Sequence, residues 1–415
     1  MTHLKRLRGA PMVRAVAALT SVLTLAALPA RALASSPPKL DVKAAALIEA
    51  GTGQRLYGMN AAATLSIASA TKIMTALVVL EHARLGQVFA APAYSLAAVD
   101  SQIGLQAGQR MDVADLIAAM MLPSADDAAH DLAYNIGGGS VDRFVAMMNA
   151  RAAQLGLAHT HYSTPVGLDT PGNHSSASDL VALARYALRT QPFLRHLVAM
   201  PKAKLRIGNE TRTVANLNTL VGRVPWVNGV KTGHTVDAGY VLVGSGTRGG
   251  MTLISAVLGA SSESAREADT LALLTWGFDN FRLAKPVSIG QVVTRLPVRG
   301  RQGLSAALLA AGSFSRVVPK RAPVTTVLHV PRELKGPLRK GAVAGSQVVL
   351  QGGVPVASIP LRLARAVPAP PPGVSPTTIL GPFTLVLLVL LLGVAVVRGR
   401  RERLTARRVA GQRQE

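Results

Sequence analysis

Residues 67–82 read IASATKIMTALVVLEH, and the fold and the chemistry both turn on this stretch. The run after Ser69 is apolar on nearly every side, the pattern of a buried helix rather than a surface one. Ser69 then stands at the helix N-terminal end. Residues i and i+3 share a helix face, so Lys72 is placed to reach the Ser69 hydroxyl. A serine becomes a nucleophile when a base lies beside it. A lysine can be that base if burial leaves its amine neutral. The positive end of the helix favours an oxyanion at the same place. Alone, Ser-x-x-Lys has a plain alternative: Ser69 caps a helix and Lys72 is a solvated lysine.

Two further short motifs follow. Ser124-Ala125-Asp126 comes after the apolar run Leu116–Leu122 and Pro123, and it reads as a loop between helices. A second hydroxyl there could pass a proton between Lys72 and a leaving amine, or Ser124 or Asp126 could simply cap the next helix. Lys231-Thr232-Gly233 ends the strand-like run Val227–Lys231. Thr232 could bind a carboxylate with Lys231 supplying charge, and Gly233 would admit a substrate backbone at close range. A β-turn through Gly233-His234-Thr235 is the plain alternative.

Outward from these motifs the chain alternates in character. Ala44–Ile48 and Arg55–Gly58 flank a glycine-containing turn and suggest a hairpin. Alanine-rich helical periodicity dominates residues 70–200. Val227–Lys231, Gly239–Ser245 and Thr252–Leu258 read as antiparallel strands, and Ser261-Ser262-Glu263 opens a helix. Strands, helices, strands and a helix specify an α+β domain with an antiparallel sheet and a helical insertion. Residues 284–366 carry short β-branched runs broken by Gly, Pro and basic residues, which predicts a second, small β domain. No internal repeat is visible.

The ends carry addresses. Residues 1–34 hold Lys5, Arg6, Arg8, Arg14 and Arg31 without an acid, then the apolar Ala15–Leu28 and the small-residue pattern Ala32-Leu33-Ala34. This is the form of a secretory signal cut after Ala34. Ile379–Val397 is an uncharged apolar run of 19 residues followed by Arg398, Arg400, Arg401 and Arg403. It predicts a transmembrane helix whose basic tail, residues 398–415, is cytoplasmic. The proline-rich segment 367–378 becomes a semi-rigid spacer. The expected organisation is thus signal 1–34, catalytic domain 35–283, β domain 284–366, linker 367–378, span 379–397 and tail 398–415, with the body extracytoplasmic.

Composition narrows the rest. The 415 residues include no cysteine, which excludes disulfide frameworks, thiolate zinc sites and cysteine nucleophiles. The formal charge is +24, and +14 remains between the two basic ends, suited to an anionic surface or polymer such as cell wall or lipid headgroups. Only 4% of residues are aromatic, and the export pattern argues against a nucleic-acid partner.

The order Ser-x-x-Lys, Ser-x-Asp, Lys-Thr-Gly, at spacings of 55 and then 107 residues, matches the penicillin-recognising serine enzymes. The chain resembles the serine D-alanyl-D-alanine carboxypeptidases, the low-molecular-mass penicillin-binding proteins of the type 5 kind. IASATKIMTALVVLEH, MLPSADDAAHDLA, FVAMMNARAAQLGLAHTHYSTPVGLD, HSSASDLVALARYAL and VNGVKTGHTVDAGYVLVGSG carry the resemblance, across about residues 40–282. KGPLRKGAVAGSQVVLQGGVPVASIPL carries a weaker likeness to that family's C-terminal β domain.

The resemblance implies the β-lactamase/transpeptidase-like fold and removal of the terminal D-alanine from peptidoglycan pentapeptide stems. By position, Ser69 is the acyl-forming nucleophile, Lys72 its base and Ser124 the proton relay. Lys231 and Thr232 hold the substrate carboxylate, and the N–H groups of Ser69 and His234 form the oxyanion hole. β-Lactams acylate Ser69, and no metal or other cofactor is required. His159, His161 and His174 are expected to be loop or surface residues, since H-x-H without H-E-x-x-H is a weak zinc pattern.

One residue departs from the family. Asp126 stands where an asparagine is usual. An ionised aspartate accepts hydrogen bonds but cannot donate them. Facing the site, it would favour a charged Lys72 and slow turnover or move the optimum to higher pH; turned outward, it would cap a helix beside a solvated Asp127. A class A β-lactamase would need a deacylating glutamate after the second motif, and residues 127–209 contain none. A non-catalytic wall-binding protein on the same fold is the remaining rival, with Asp126 as its only support.

Overall fold

The computed structural model describes residues 35–93, 101–208, 210–371 and 385–401. The expected secretory signal lies outside these residues, as do most of the linker and the tail beyond residue 401.

In chain order the first body comprises β1 (Ala44–Glu49), β2 (Arg55–Met59), α1 (Lys72–His82), β3 (Val88–Ala90), β4 (Arg110–Asp112), α2 (Val113–Met121), α3 (Asp126–Ile136) and α4 (Val141–Gln154). It continues with α5 (Ala177–Thr190), α6 (Pro192–Leu197), the hairpin β5 (Lys202–Ile207) and β6 (Glu210–Ala215), and the short α7 (Leu220–Arg223). It closes with β7 (Val227–Thr235), β8 (Gly239–Arg248), β9 (Met251–Ala260) and α8 (Glu263–Asn280). Five of the strands form one antiparallel sheet in the order β2-β1-β9-β8-β7. β7, with the Lys-Thr-Gly motif, is therefore an edge strand.

Both faces of this sheet are covered. Ala44, Ala46 and Ile48 of β1 join the core of the helical insertion, while Ala45 and Leu47 pack with Leu273, Leu274 and Phe278 of α8. Alternate residues of a strand point to opposite faces, so a strand buried on both sides loses its polar alternation. This is why β1 reads as an unbroken apolar run. On the helical side α1 lies at the centre, with every residue from Lys72 to Val79 buried. A helix without a polar face can exist only when surrounded, and α2, α3, α4 and α5 surround it. The helix starting at Ser261-Ser262-Glu263 is present: Ser262 is its N-cap, accepting from Ala265 N at 3.1 Å.

α3 carries an acid its core does not neutralise. Asp131 is buried; Oδ1 accepts from Asn135 Nδ2 at 2.6 Å, and Oδ2 has no partner among the described residues. Burial pushes its carboxyl up to about 7, with neighbouring Asp127 adding to the rise and the Asn135 bond opposing it. The native state therefore holds a proton that the unfolded chain has released between pH 3.8 and about 7, and stability falls as pH rises through that window. Asp131→Asn, which cannot ionise, is expected to remove a slope approaching ~1.4 kcal/mol per pH unit. Urea unfolding of both proteins from pH 4 to 8 checks this; parallel pH profiles would refute it.

The second body is all β. It contains β10 (Phe281–Val287), β11 (Val292–Pro297), β12 (Ser305–Ala310), β13 (Phe314–Pro319), β14 (Val324–His329), β15 (Val343–Gln351) and β16 (Val354–Leu363). Five strands make an antiparallel sheet in the order β11-β12-β16-β15-β14, and β10 pairs separately with β13. β10 follows α8 without a linker and runs through residues 283 and 284. Gln54, in the turn after β1, behaves like one more strand residue against β13: Nε2 donates to Val317 O at 3.1 Å and Oε1 accepts from Val317 N at 3.2 Å.

Only part of the expected transmembrane helix lies among the described residues. Residues 385–401 are helical with exposed leucines and valines, while residues 379–384 lie outside the described residues. Among the described residues no helix is long and apolar enough to cross a membrane.

Candidate active site

Ser69 sits in a tight turn, not inside a helix. Ala68–Thr71 form a single 3₁₀ turn that leads directly into α1, so Ser69 precedes the helix and Lys72 is its first residue. Ala68 is held at φ 49°, a left-handed value that costs a non-glycine residue energy and occurs where surrounding structure enforces it. The i to i+3 geometry expected from the sequence is realised. Lys72 Nζ lies 2.8 Å from Ser69 Oγ, 2.5 Å from Asp126 Oδ1 and 2.7 Å from Val166 O. Three acceptors suit the three N–H bonds of an ammonium. If the amine loses its proton, Asp126 and Val166 O can retain two N–H bonds and leave the lone pair aimed at Ser69.

The second motif joins α2 to α3. Ser124 is buried at φ 69°, Ala125 takes the N-cap position with no side-chain cap, and Asp126 opens α3. Of the two orientations open for Asp126, the structure has the inward one. Its carboxylate is buried, ion-paired with Lys72, and also accepts from Ser101 N at 3.2 Å. Asp127 is not a solvated acid: it is buried and accepts from Gly104 N at 2.8 Å, Leu105 N at 3.0 Å and Ile103 N at 3.2 Å, fixing that loop. Among the described residues, Ser124 makes no hydrogen bond to Ser69 or Lys72.

An anionic partner favours the charged form of a lysine. Asp126→Asn is therefore expected to move the alkaline rise of the acylation rate to lower pH and to quicken acylation near neutrality about tenfold for each unit moved. Stopped-flow acylation by a chromogenic cephalosporin from pH 5 to 10 measures it. Superimposed profiles would show that Asp126 does not govern the protonation of Lys72.

The third motif approaches from the sheet. β7 packs against the Ser69 turn, and as an edge strand it turns every second N–H and C=O away from β8. Lys231 is 1% exposed, and its Nζ has no hydrogen-bond partner among the described residues. Burial pushes its ammonium well below the ordinary lysine range; Lys72 and Arg266 push the same way and Asp126 opposes them. Thr232 is buried beside it. A Cβ at Gly233 would stand 3.0 Å from Ser69 N, 3.0 Å from Ala68 Cβ and 3.1 Å from Ile67 O, so this glycine lets the Ser69 turn approach the strand closely. His234 is exposed and stacks on Tyr240, ring centroids 4.0 Å apart.

Two contributors escaped the sequence. The loop Pro165-Val166-Gly167 clasps the turn from outside: Thr75 Oγ1 donates to Pro165 O at 2.7 Å, Val166 O receives Lys72, and Gly167 lies against Ala68. Arg266 of α8 is a buried cation beside Lys231, bonded to Glu263 at 2.8 Å and lying over the Tyr240 ring at 5.8 Å. The glycine of Pro-Val-Gly was the only local cue for the first. An arginine on a helix gave none for the second. Of the histidines expected in loops or at the surface, His161 and His174 form an isolated β-bridge, and His159 Nδ1 is 3.7 Å from Asp179.

Comparison with known proteins agrees with this geometry. Residues 31–262 match the family described as D-alanyl-D-alanine carboxypeptidase. The chain is 31% identical to the D-alanyl-D-alanine carboxypeptidase DacA of Escherichia coli strain K12, over 80% of this chain and 85% of that protein. It is 29% identical to DacF of Bacillus subtilis over 77% of this chain and 84% of the other. Among solved structures, penicillin binding protein 5 of Haemophilus influenzae superposes with a TM-score of 0.65 at 30% identity, covering 80% of this chain and 99% of that one. The Streptomyces K15 DD-transpeptidase gives 0.56 at 34% identity, covering 59% of this chain and 99% of its own. The fold is that of the penicillin-binding serine enzymes, antiparallel sheet with helices and a small β domain, and the chain belongs to the D-alanyl-D-alanine carboxypeptidase family of serine peptidases.

Proposed function

We propose that the substrate is the pentapeptide stem of peptidoglycan and that its terminal D-alanine is removed through an acyl-enzyme on Ser69. The observation that carries this is the 2.8 Å contact between Lys72 Nζ and Ser69 Oγ at the start of a buried helix. Neutral Lys72 takes the hydroxyl proton as Ser69 Oγ bonds to the carbonyl carbon of the penultimate residue. The C–N bond then breaks, and the leaving amine of D-alanine receives the proton, with Ser124 as the relay. Water releases the shortened stem from the ester. The backbone N–H groups of Ser69 and His234 receive the developing oxyanion; one such donor is worth ~10²–10³ in kcat. The unpartnered Nζ of Lys231 and the buried Thr232 support a site for the terminal carboxylate, since an arriving anion supplies the acceptor that Lys231 lacks.

β-Lactams present a reactive amide in the same place and acylate the same serine. The proposed location is outside the cytoplasm, on the signal-like residues 1–34 and the apolar run before the arginine tail, with attachment to the membrane through Ile379–Val397. No metal enters the scheme.

The full chain, incubated with a labelled penicillin, should carry one adduct in the peptide containing Ser69, and should release D-alanine from a D-Ala-D-Ala-terminated pentapeptide. A folded chain that does neither between pH 5 and 10 would leave the non-catalytic wall-binding reading instead. Protease added outside intact cells should digest the body, and a protected body would refute the location.

A further inference from the structure

A second cleft, of about 800 Å³, lies where the helical side of the first body meets the small β body. It is distinct from the catalytic cluster. β7 contributes Asn228 to it, at the strand's start, whereas the Lys-Thr-Gly motif lies further along the strand.

Its charge is one-sided. Arg185 and Arg189 of α5, Arg195 and His196 of α6, and Lys285 of β10 all line it. Glu49 is the only acid in the lining, and its carboxylate is consumed by the turn that follows: Gly51 N donates at 2.9 Å, Thr52 N at 2.7 Å and Thr52 Oγ1 at 2.7 Å. Arg185 is pinned at the cleft wall, with Nε on Ala50 O at 2.7 Å and Nη2 on Gly51 O at 3.1 Å. Among the described residues, the side chains of Arg189, Arg195 and Lys285 make neither an ion pair nor a hydrogen bond.

Like charges gathered in this way repel. Arg185 and Arg189 are four apart on one helix, an arrangement that costs a few tenths of a kcal/mol by itself. The negative ends of α5 and α6 offset part of this for Arg189 and Arg195, which lie in the last turns. They do nothing for Lys285, which arrives from the other body. A convergence of cations from three elements on one hollow, without counter-charge, is the arrangement of a site whose anion comes from outside.

We propose that this cleft binds a phosphate-bearing anion. Guanidinium groups present paired N–H donors that match phosphate oxygens two at a time. Three unpartnered cations exceed what a single carboxylate can balance, but suit a phosphate dianion or successive phosphodiesters. Thr247 and Thr252 lie in the same lining with their hydroxyls bonded to each other at 2.9 Å, and the one that accepts keeps its O–H as a neutral donor. Occupancy would tie the two bodies together, because Lys285 and Ser315 belong to one and the arginines to the other.

Sodium tripolyphosphate titrated into the full chain in detergent, by calorimetry at low salt, should bind saturably and weaken as salt rises. The double variant Arg189→Ala/Lys285→Ala should bind at least tenfold more weakly while its penicillin acylation stays at the wild-type rate. Displacement of tripolyphosphate by a poly(glycerol phosphate) chain would assign the site to an anionic polymer; displacement by dihexanoylphosphatidylglycerol below its micellar concentration would assign it to a lipid headgroup. Absence of saturable binding would overturn the proposal. So would undiminished binding by a double variant that still acylates normally, because the phosphate would then sit elsewhere on a strongly basic chain. Displacement by neither competitor would overturn it as well. None of these outcomes bears on the carboxypeptidase reading, which is tested at Ser69.

Discussion

Ser69→Ala is expected to abolish covalent capture of penicillin and to lower D-alanine release by a factor on the order of 10⁶, the scale seen when a serine peptidase loses its nucleophile. The argument is geometric. Ser69 Oγ is the hydroxyl bonded to Lys72, in a turn whose backbone is fixed by Ala68 at φ 49° and by the edge of β7. The truncation removes one oxygen from a half-buried turn, so folding should survive, and far-UV circular dichroism with thermal melting should match the wild type. Residues that act as a unit fail together. Lys72→Ala should therefore cost nearly as much, and the double variant little more than either. Intact mass after penicillin treatment decides the first point and D-alanine release the second. An adduct retained in Ser69→Ala and mapped to Ser124 would reassign the nucleophile.

Gly167→Ala should damage the site without touching a reacting atom. Gly167 stands at φ 93°, and a Cβ there would drive into Ala68 O, lie 2.6 Å from Ala68 C and 2.9 Å from Thr71 Oγ1. Those are the backbone of the Ser69 turn and the side chain of the residue just before Lys72. Either the turn moves or the Pro165–Gly167 loop retreats and takes Val166 O from Lys72. Displacement of reacting groups by about 1 Å costs about 10²-fold in rate. An alanine forced to positive φ adds about 1–2 kcal/mol of strain. The expected result is an acylation rate lowered about 10²-fold or more, together with a lower melting temperature. Gly86→Ala, where no neighbouring atom lies within 4 Å, is the control and should behave as wild type. A Gly167→Ala protein that acylates normally would show that the loop does not position the turn.

These two positions also divide what could be read in advance. Ser69, Lys72, Asp126 and the Lys-Thr-Gly strand were legible because each belongs to a short motif with its own local reason: helical spacing of three, a break between helices, a strand end. The sheet was legible through the apolar runs of β1, β8 and β9, and α8 through its serine cap. β12 and β13 were not, since Ser305–Ala310 and Phe314–Pro319 carry only weak alternation and one of them is half of a two-stranded patch. Gly167 and Arg266 were not legible as site residues. Their importance comes from what lies across a gap in space, and no local pattern records that.

The amino-acid sequence by itself pointed to the family, through the order and spacing of three short motifs, and placed Lys72 within reach of Ser69, because residues three apart in a helical turn share a face. Only the tertiary structure decided that Asp126 turns inward onto Lys72, that Gly233 makes room for the chain's own turn, and that five basic residues from two bodies face one cleft. Those outcomes depend on which elements pack together, and the packing is set by burial of whole faces summed over the fold. The local rules that govern turns, caps and helix faces extend only a few residues along the chain, so they stop short of it.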